Sequence, residues 1–318
     1  MSLTPFPHGI SVMGVPLLPN TGPNVIPGNV YWVGSAAGAN WSAGSNGSAT
    51  AGEYQTPFAT LDYAIGRCTA DNFDVIYLLP GHAETITSSS TTIDVDGVRI
   101  IGLGSGSKRP TFTFSTAAAT INVSGDNCSI ENCRHTAAYA DVVSAYTVAG
   151  TDFVIKNCLF DESTTDLNWL ACISTSATAN AADGLTIIGN TEISVDLSTT
   201  AFISILGNCD RLLIVDNYVQ QGATGNVGHF ITLSSKVCKA LQILSNRLFV
   251  TGGTGATVGV FMTGSDNAGT GIVANNYTYS SDATTELFDT ATLTFAHFEN
   301  YYTGTVAKQG YLVPGADS

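Results

Sequence analysis

The residues best suited to acid and base chemistry fall in one short stretch: Asp161, Glu162 and Asp166, followed by Trp169. Two carboxylates about 5–9 Å apart across a bound sugar make a glycosidase, and an indole ring could stack on that sugar. Outside a cleft, three acids in a polar segment make a solvated loop, and that is the reading adopted. Were the chain an enzyme, Asp161, Glu162 and Asp166 would be its catalytic residues. A second acidic series, Asp96, Asp126, Asp152, Asp183 and Asp210, recurs at wide intervals. Carboxylates stacked on one another repel unless a cation bridges them, yet Ca2+ asks for six or more converging oxygens. Asp also suits a turn leading into a strand, so these are read as turn residues, and neither metal nor cofactor is expected.

Other chemistry is weaker still. His82, His135, His229 and His297 show no metal-ligand spacing. Seven cysteines without a C-x-x-C pair read as reduced thiols; Cys128, Cys133 and Cys158 recur where small apolar residues would pack. Gly102-Leu-Gly104-Ser-Gly106-Ser107-Lys108 imitates a phosphate loop, but it lacks the G-x-x-x-x-G-K-[ST] spacing and runs into an alternating strand.

Composition narrows the partners. Lys and Arg number 11 against 25 Asp and Glu, a net charge of −14, and the first cation is Arg67. Nucleic-acid binding draws its affinity from cations on phosphates, so nucleic acid is excluded as a partner, and an anionic membrane would repel the chain. No apolar run approaches the roughly 18 residues of a membrane span. The N-terminus lacks the cationic start of a secretory signal, which points to assembly in a cytosol. Charged residues make up only 11% of the chain, with 33 glycines and 44% hydrophobic residues. This excludes a coiled coil and disorder alike.

A repeat sets the fold. A short apolar segment ends in Asn at Asn132, Asn157, Asn190, Asn217, Asn246, Asn276 and Asn300, with Gly102 in an earlier copy. The copies lie about 28 residues apart, a period that marks a solenoid. Second apolar strands intervene at Thr120–Val123, Val142–Val148, Leu170–Ile173, Phe202–Leu206, Phe230–Leu233, Val258–Met262 and Glu286–Phe288. Two or three short strands per copy, without helices between them, describe an all-β chain: a parallel β-helix of about eight coils. Stacked Asn side chains at the turn would tolerate the left-handed conformation and bond the Asn above and below. The residues that follow (Cys133, Cys158, Thr191, Tyr218, Arg247, Tyr277) and those three beyond the Asn (His135, Phe160, Ile193, Gln220, Phe249, Tyr279) are expected to fill the core.

The open end of a β-helix needs a cover. The segment 56–68 predicts a capping helix with Thr56 as N-cap, Pro57 at its first position and Phe58, Leu61, Ile65 and Cys68 on one face. Six of the ten prolines lie in the first 27 residues. Residues 1–30 therefore read as an extended proline-rich arm that binds through Phe6, Ile10, Met13, Leu17 and Leu18. Residues 31–305 form the β-helix and 306–318 a tail.

The stretch from Tyr54 through Thr56-Pro57-Phe58 to Ile65, followed by the coils, resembles the pectate-lyase-like right-handed β-helix superfamily. Thr4-Pro5-Phe6-Pro7-His8-Gly9-Ile10-Ser11, Pro57 to Gly66 and Leu79-Pro80-Gly81-His82-Ala83-Glu84-Thr85-Ile86 resemble β-helical virion proteins of tailed bacteriophages. The resemblance implies a non-enzymatic capsid decoration protein, a homotrimer set on the outer capsid surface and assembled in the bacterial cytoplasm. Its partner would be the major capsid protein, held through the arm. The alternative is a tailspike-like protein that binds or depolymerises host surface glycan, with Trp41, Trp169 or surface tyrosines as its platform. The superfamily's lyases use clustered acids with Ca2+ and an Arg base, and its galacturonan hydrolases use three Asp with a His. Neither arrangement is legible here.

Overall fold

Ile76, Ile100, Ile130, Ile155, Ile187, Ile214 and Ile243 stand in register one above another, all fully buried. That single line of β-branched side chains is the spine of the protein. β-Branched residues fit a pleated surface, and placing one per repeat lets parallel strands about 4.8 Å apart stack without a gap. In a computed structural model the chain forms three parallel sheets. The description covers residues 28–304 except 49, 163, 165, 195–200, 224–227, 234–235, 253–261, 265–268 and 281–294, together with 11–12, 15–16 and 310–312.

The first sheet runs through ten strands from Val30–Val33 to Ala296–Phe298, and the second through ten from Ala83–Ile86 to Gly310–Leu312. The third has seven, from Thr91–Ile93 to Met262–Gly264. All pairings are parallel and join successive coils, except that Gly310–Leu312, in the expected tail, returns antiparallel on Asn300–Gly304. This is the expected right-handed parallel β-helix. The coil count differs from the expected eight, since seven coils have strands in all three sheets among the described residues. Ser11–Val12 and Val15–Pro16 pair antiparallel. The arm residues Phe6, Ile10, Met13, Leu17 and Leu18 lie outside the described residues, as do most of Val258–Met262 and all of Glu286–Phe288.

The cap forms, but later than its sequence signal. Its helix is Leu61–Ile65 with Thr60 at the N-cap, and Leu61, Ala64 and Ile65 are buried against the first coil. Thr56 caps nothing; its hydroxyl donates to the Thr50 carbonyl. The reason is the open edge of Val30–Val33. Phe58 N–H donates to the Trp32 carbonyl at 2.8 Å and Phe58 pairs with Val33, which holds this part of the chain extended. The N-terminal turn of the helix finds its acceptor in Glu84, whose Oε2 takes the Leu61 N–H at 2.9 Å.

The seven asparagines expected at one left-handed turn occupy two positions, one residue apart. Asn132 and Asn157 are the left-handed turn residues, with φ of 58° and 52°. Register places them level with Gly189, Asp216, Ser245, Asn275 and Glu299, which share that conformation. The buried position one residue later holds Cys133 and Cys158, then Asn190, Asn217, Asn246, Asn276 and Asn300. Five asparagines therefore form an interior ladder. In it each side-chain Nδ2 donates to the next Asn Oδ1, at 3.1, 2.9, 3.1 and 3.0 Å. The same Oδ1 atoms accept the backbone N–H of the Asn below. A turn with otherwise orphaned amide groups is thereby satisfied inside the core.

Candidate functional site

Asp161 and Glu162 end the strand Leu159–Glu162 of the second sheet, and both are tied into neighbouring coils. Asp161 Oδ2 accepts from Arg134 Nε at 2.8 Å and pairs with Arg134 Nη2 at 2.6 Å. Its Oδ1 accepts from Thr136 Oγ1 at 2.7 Å, and its carbonyl accepts from Trp169 Nε1 at 3.1 Å. Glu162 Oε1 accepts from Ser194 Oγ at 2.8 Å. Asp166 sits apart in an exposed turn. Trp169 is fully buried and packs edge-on against Phe114 with centroids 5.0 Å apart. It is a core residue and cannot serve as a sugar platform.

The other acids also have structural employment. Asp96, Asp126, Asp183 and Asp210 each accept a backbone N–H from the coil above, at 2.8, 2.7, 2.8 and 3.0 Å. This is the turn role read from the sequence. No group of three His, Cys, Asp or Glu arranged to hold a metal ion occurs among the described residues. His135 is packed as expected, stacked between Phe112 and Phe160 with its Nε2 2.6 Å from Tyr146 Oη. Burial pulls it down to about 3, so it is neutral. Cys133 and Cys158 are fully buried and burial holds both thiols protonated, Cys158 pushed up to about 12.

What the sequence reading missed is a groove on the outward face of the second sheet, about 620 Å3 in volume. Because Asn217, Asn246 and Asn276 point inward, the next residues Tyr218, Arg247 and Tyr277 point outward and form one column that Tyr301 continues. The tyrosines are 37%, 37% and 44% exposed. Asp216, Ser245 and Asn275 in the left-handed turns line one side and Phe249 the other. Phe249 stacks on Tyr279 with centroids 4.3 Å apart and rings 13° from parallel. Tyr218, Arg247, Tyr277, Phe249 and Tyr279 were expected in the core. Strand alternation counted from a buried Asn, in place of a turn Asn, is the signal that would have found them. Phenol faces flanking a guanidinium, with a carboxylate and amide at the rim, can stack on an apolar ring face and hydrogen-bond its polar edge. Asp216 is the one carboxylate among the lining residues.

No family model matches the chain, and no curated protein matches it. Among solved structures it is similar to a rhamnogalacturonan lyase, with a TM-score of 0.51 and 13% identity over 86% of this chain and 74% of that one. The likeness is one of fold, a parallel β-helix.

Proposed function

We propose that this protein is a non-enzymatic structural component of a bacteriophage virion, a homotrimeric decoration protein fixed to the outer capsid surface through its proline-rich arm. The observation that carries the reading is the use made of Asp161 and Glu162. Both bind side chains of adjacent coils, as the turn aspartates bind adjacent backbone. The polar groups that could do chemistry hold the rod together instead. The three sequence stretches that resemble phage virion proteins supply the setting, and the major capsid protein is the partner. Deleting residues 1–27 will abolish capsid binding while leaving the circular dichroism and melting temperature of the β-helix unchanged. The copy number per virion, measured by quantitative mass spectrometry, will be on the scale of the capsid subunits. Unaltered capsid binding by the truncated chain, or a tail-like copy number, would overturn the reading.

The groove favours a second reading, a tailspike-like protein that binds host surface glycan. Arg247 between Tyr218 and Tyr277 is a recognition surface without a second carboxylate for hydrolysis. On this reading Arg247→Ala will weaken binding to host polysaccharide fragments at least tenfold by calorimetry, and Asp161→Ala will leave it unchanged. No measurable glycan binding by the intact chain removes this reading.

A further inference from the structure

The first sheet presents an outward face that does not suit a surface left to solvent. Two outward columns run up its ten strands, and the only charges in them are Arg99, Glu131 and Lys156. Toward the C-terminal coils one column reads Ile188, Val215, Leu244, the buried Ala274 and Phe298, and the other Thr186, Leu213, Gln242, Ile272 and Ala296. Ile272 is 44% exposed and Phe298 50%. The third sheet shows that the coil does not demand this, since its outward column reads Thr92, Asn122, Thr147, Ser174, Ser204 and Thr232. Scattered exposed apolar residues need no explanation, whereas a continuous strip marks an interaction surface.

We infer that this face is where copies of the chain pack side by side about an axis parallel to the rod. Shape is the first reason. The strip repeats once per coil, about 43 Å long over ten strands at about 4.8 Å spacing, and a partner that fits it needs the same period, which a second copy has. Charge is the second. A chain of net charge −14 repels its own copies, and this is a face with two cations and one anion, where they can approach. Rotation about a parallel axis sets one column against the other column of the neighbouring copy at the same height. Glu131 then meets the level of Ser129, with Arg99 one coil below as its cationic counterpart. Area is the third reason. About 43 Å by about 14 Å gives roughly 600 Å2 per copy, within the range of stable specific interfaces.

This inference deepens the homotrimer of the proposed function by naming its surface, and one set of measurements separates the two. Sedimentation of the full chain is expected to give three times 33.0 kDa; twice that mass would overturn the homotrimer and leave the surface standing. The double variant Ile188→Glu with Leu244→Glu is expected to fall to 33.0 kDa with unchanged circular dichroism. Thr147→Glu with Thr232→Glu, on the polar sheet, will remain assembled. Should the Glu pair impair folding, Ile272→Ser with Phe298→Ser replaces side chains that are already about half exposed, and it must dissociate the assembly likewise. A wild type that stays at 33.0 kDa overturns both the surface and the homotrimer. An assembly that persists in folded variants of the first sheet overturns the surface alone.

Discussion

Asn246→Ala will destabilise the protein by about 3–5 kcal/mol, seen as a lowered midpoint of guanidinium unfolding. The size follows from what the side chain serves. Its Oδ1 accepts both the backbone N–H and the Nδ2 of Asn217 at 2.9 Å. Its Nδ2 donates to the Ile214 carbonyl at 2.9 Å and to Asn276 Oδ1 at 3.1 Å. All of this lies at zero or 1% exposure, so no water replaces the lost partner, and each orphaned group costs about 1–3 kcal/mol. Alanine also leaves a void in a close-packed interior. Asn132→Gly is the matched control. Asn132 is a turn residue with φ of 58° whose Nδ2 reaches the Gly102 and Gly104 carbonyls, and it is only partly buried. Glycine takes that conformation freely, so the change will cost about 1 kcal/mol or less. Equal losses in the two variants would refute an inward ladder that begins at Asn190.

Stability will also depend on pH with a plateau from about 4.5 to 6.5 and a fall on either side. Glu192 lies in the interior line between Phe160 and Val219, fully buried, and burial pushes its carboxyl up to about 8. The Glu162 charge adds to the rise, while hydrogen bonds from Gln221, at 2.8 Å, and Cys172 oppose it. The folded protein therefore keeps a proton that the unfolded chain sheds near the ordinary 4.5. The associated stability is complete below that value and is lost as pH rises to about 8, on the order of 5 kcal/mol in all. His135 acts in the opposite sense. Burial holds it neutral down to about 3 while the unfolded chain protonates near 6.5, so its stability is complete above 6.5 and is lost as pH falls. Between 4.5 and 6.5 the two slopes cancel. Glu192→Gln will keep the amide pairing with Gln221 and remove the alkaline limb. The variant and the wild type will melt together at pH 5, and the variant will melt higher at pH 8. Parallel melting profiles across that range would show that Glu192 is ionised in the folded state.

Tyr218, Arg247, Tyr277 and Ile193 all point outward where the spacing predicts core, and a single cause accounts for them. The recurring Asn reads as one column in the sequence, whereas Asn132 and Asn157 occupy the turn and Asn190 onward occupy the core. A strand has a side-chain period of two, so a slip of one residue reverses every inward and outward assignment after it. Ile193 was expected inside and is 40% exposed; Glu192 beside it is wholly buried. Nothing local to Gly189-Asn190 distinguishes a turn Asn from a buried one, because both positions accept that residue for different physical reasons. The first tolerates a positive φ, and the second bonds its neighbours in a ladder.

The repeat of about 28 residues, the apolar alternation and the scarcity of charge determined on their own that the chain winds into a parallel β-helix, since only stacked copies bury one apolar face per strand. They also determined that the recurring Asp belongs to turns and that His135, Cys128, Cys133 and Cys158 belong to the interior. Tertiary structure decided where the helix of the cap begins, because the open edge of Val30–Val33 captures Phe58 first. It also decided that Asp161 and Trp169 are structural, that an aromatic groove faces out from the second sheet, and that the first sheet carries an apolar flank. Each of those outcomes depends on which residue stands above which in the next coil. That register is a contact between positions about 28 apart, set by how whole coils stack and not by any residue's near neighbours in the chain.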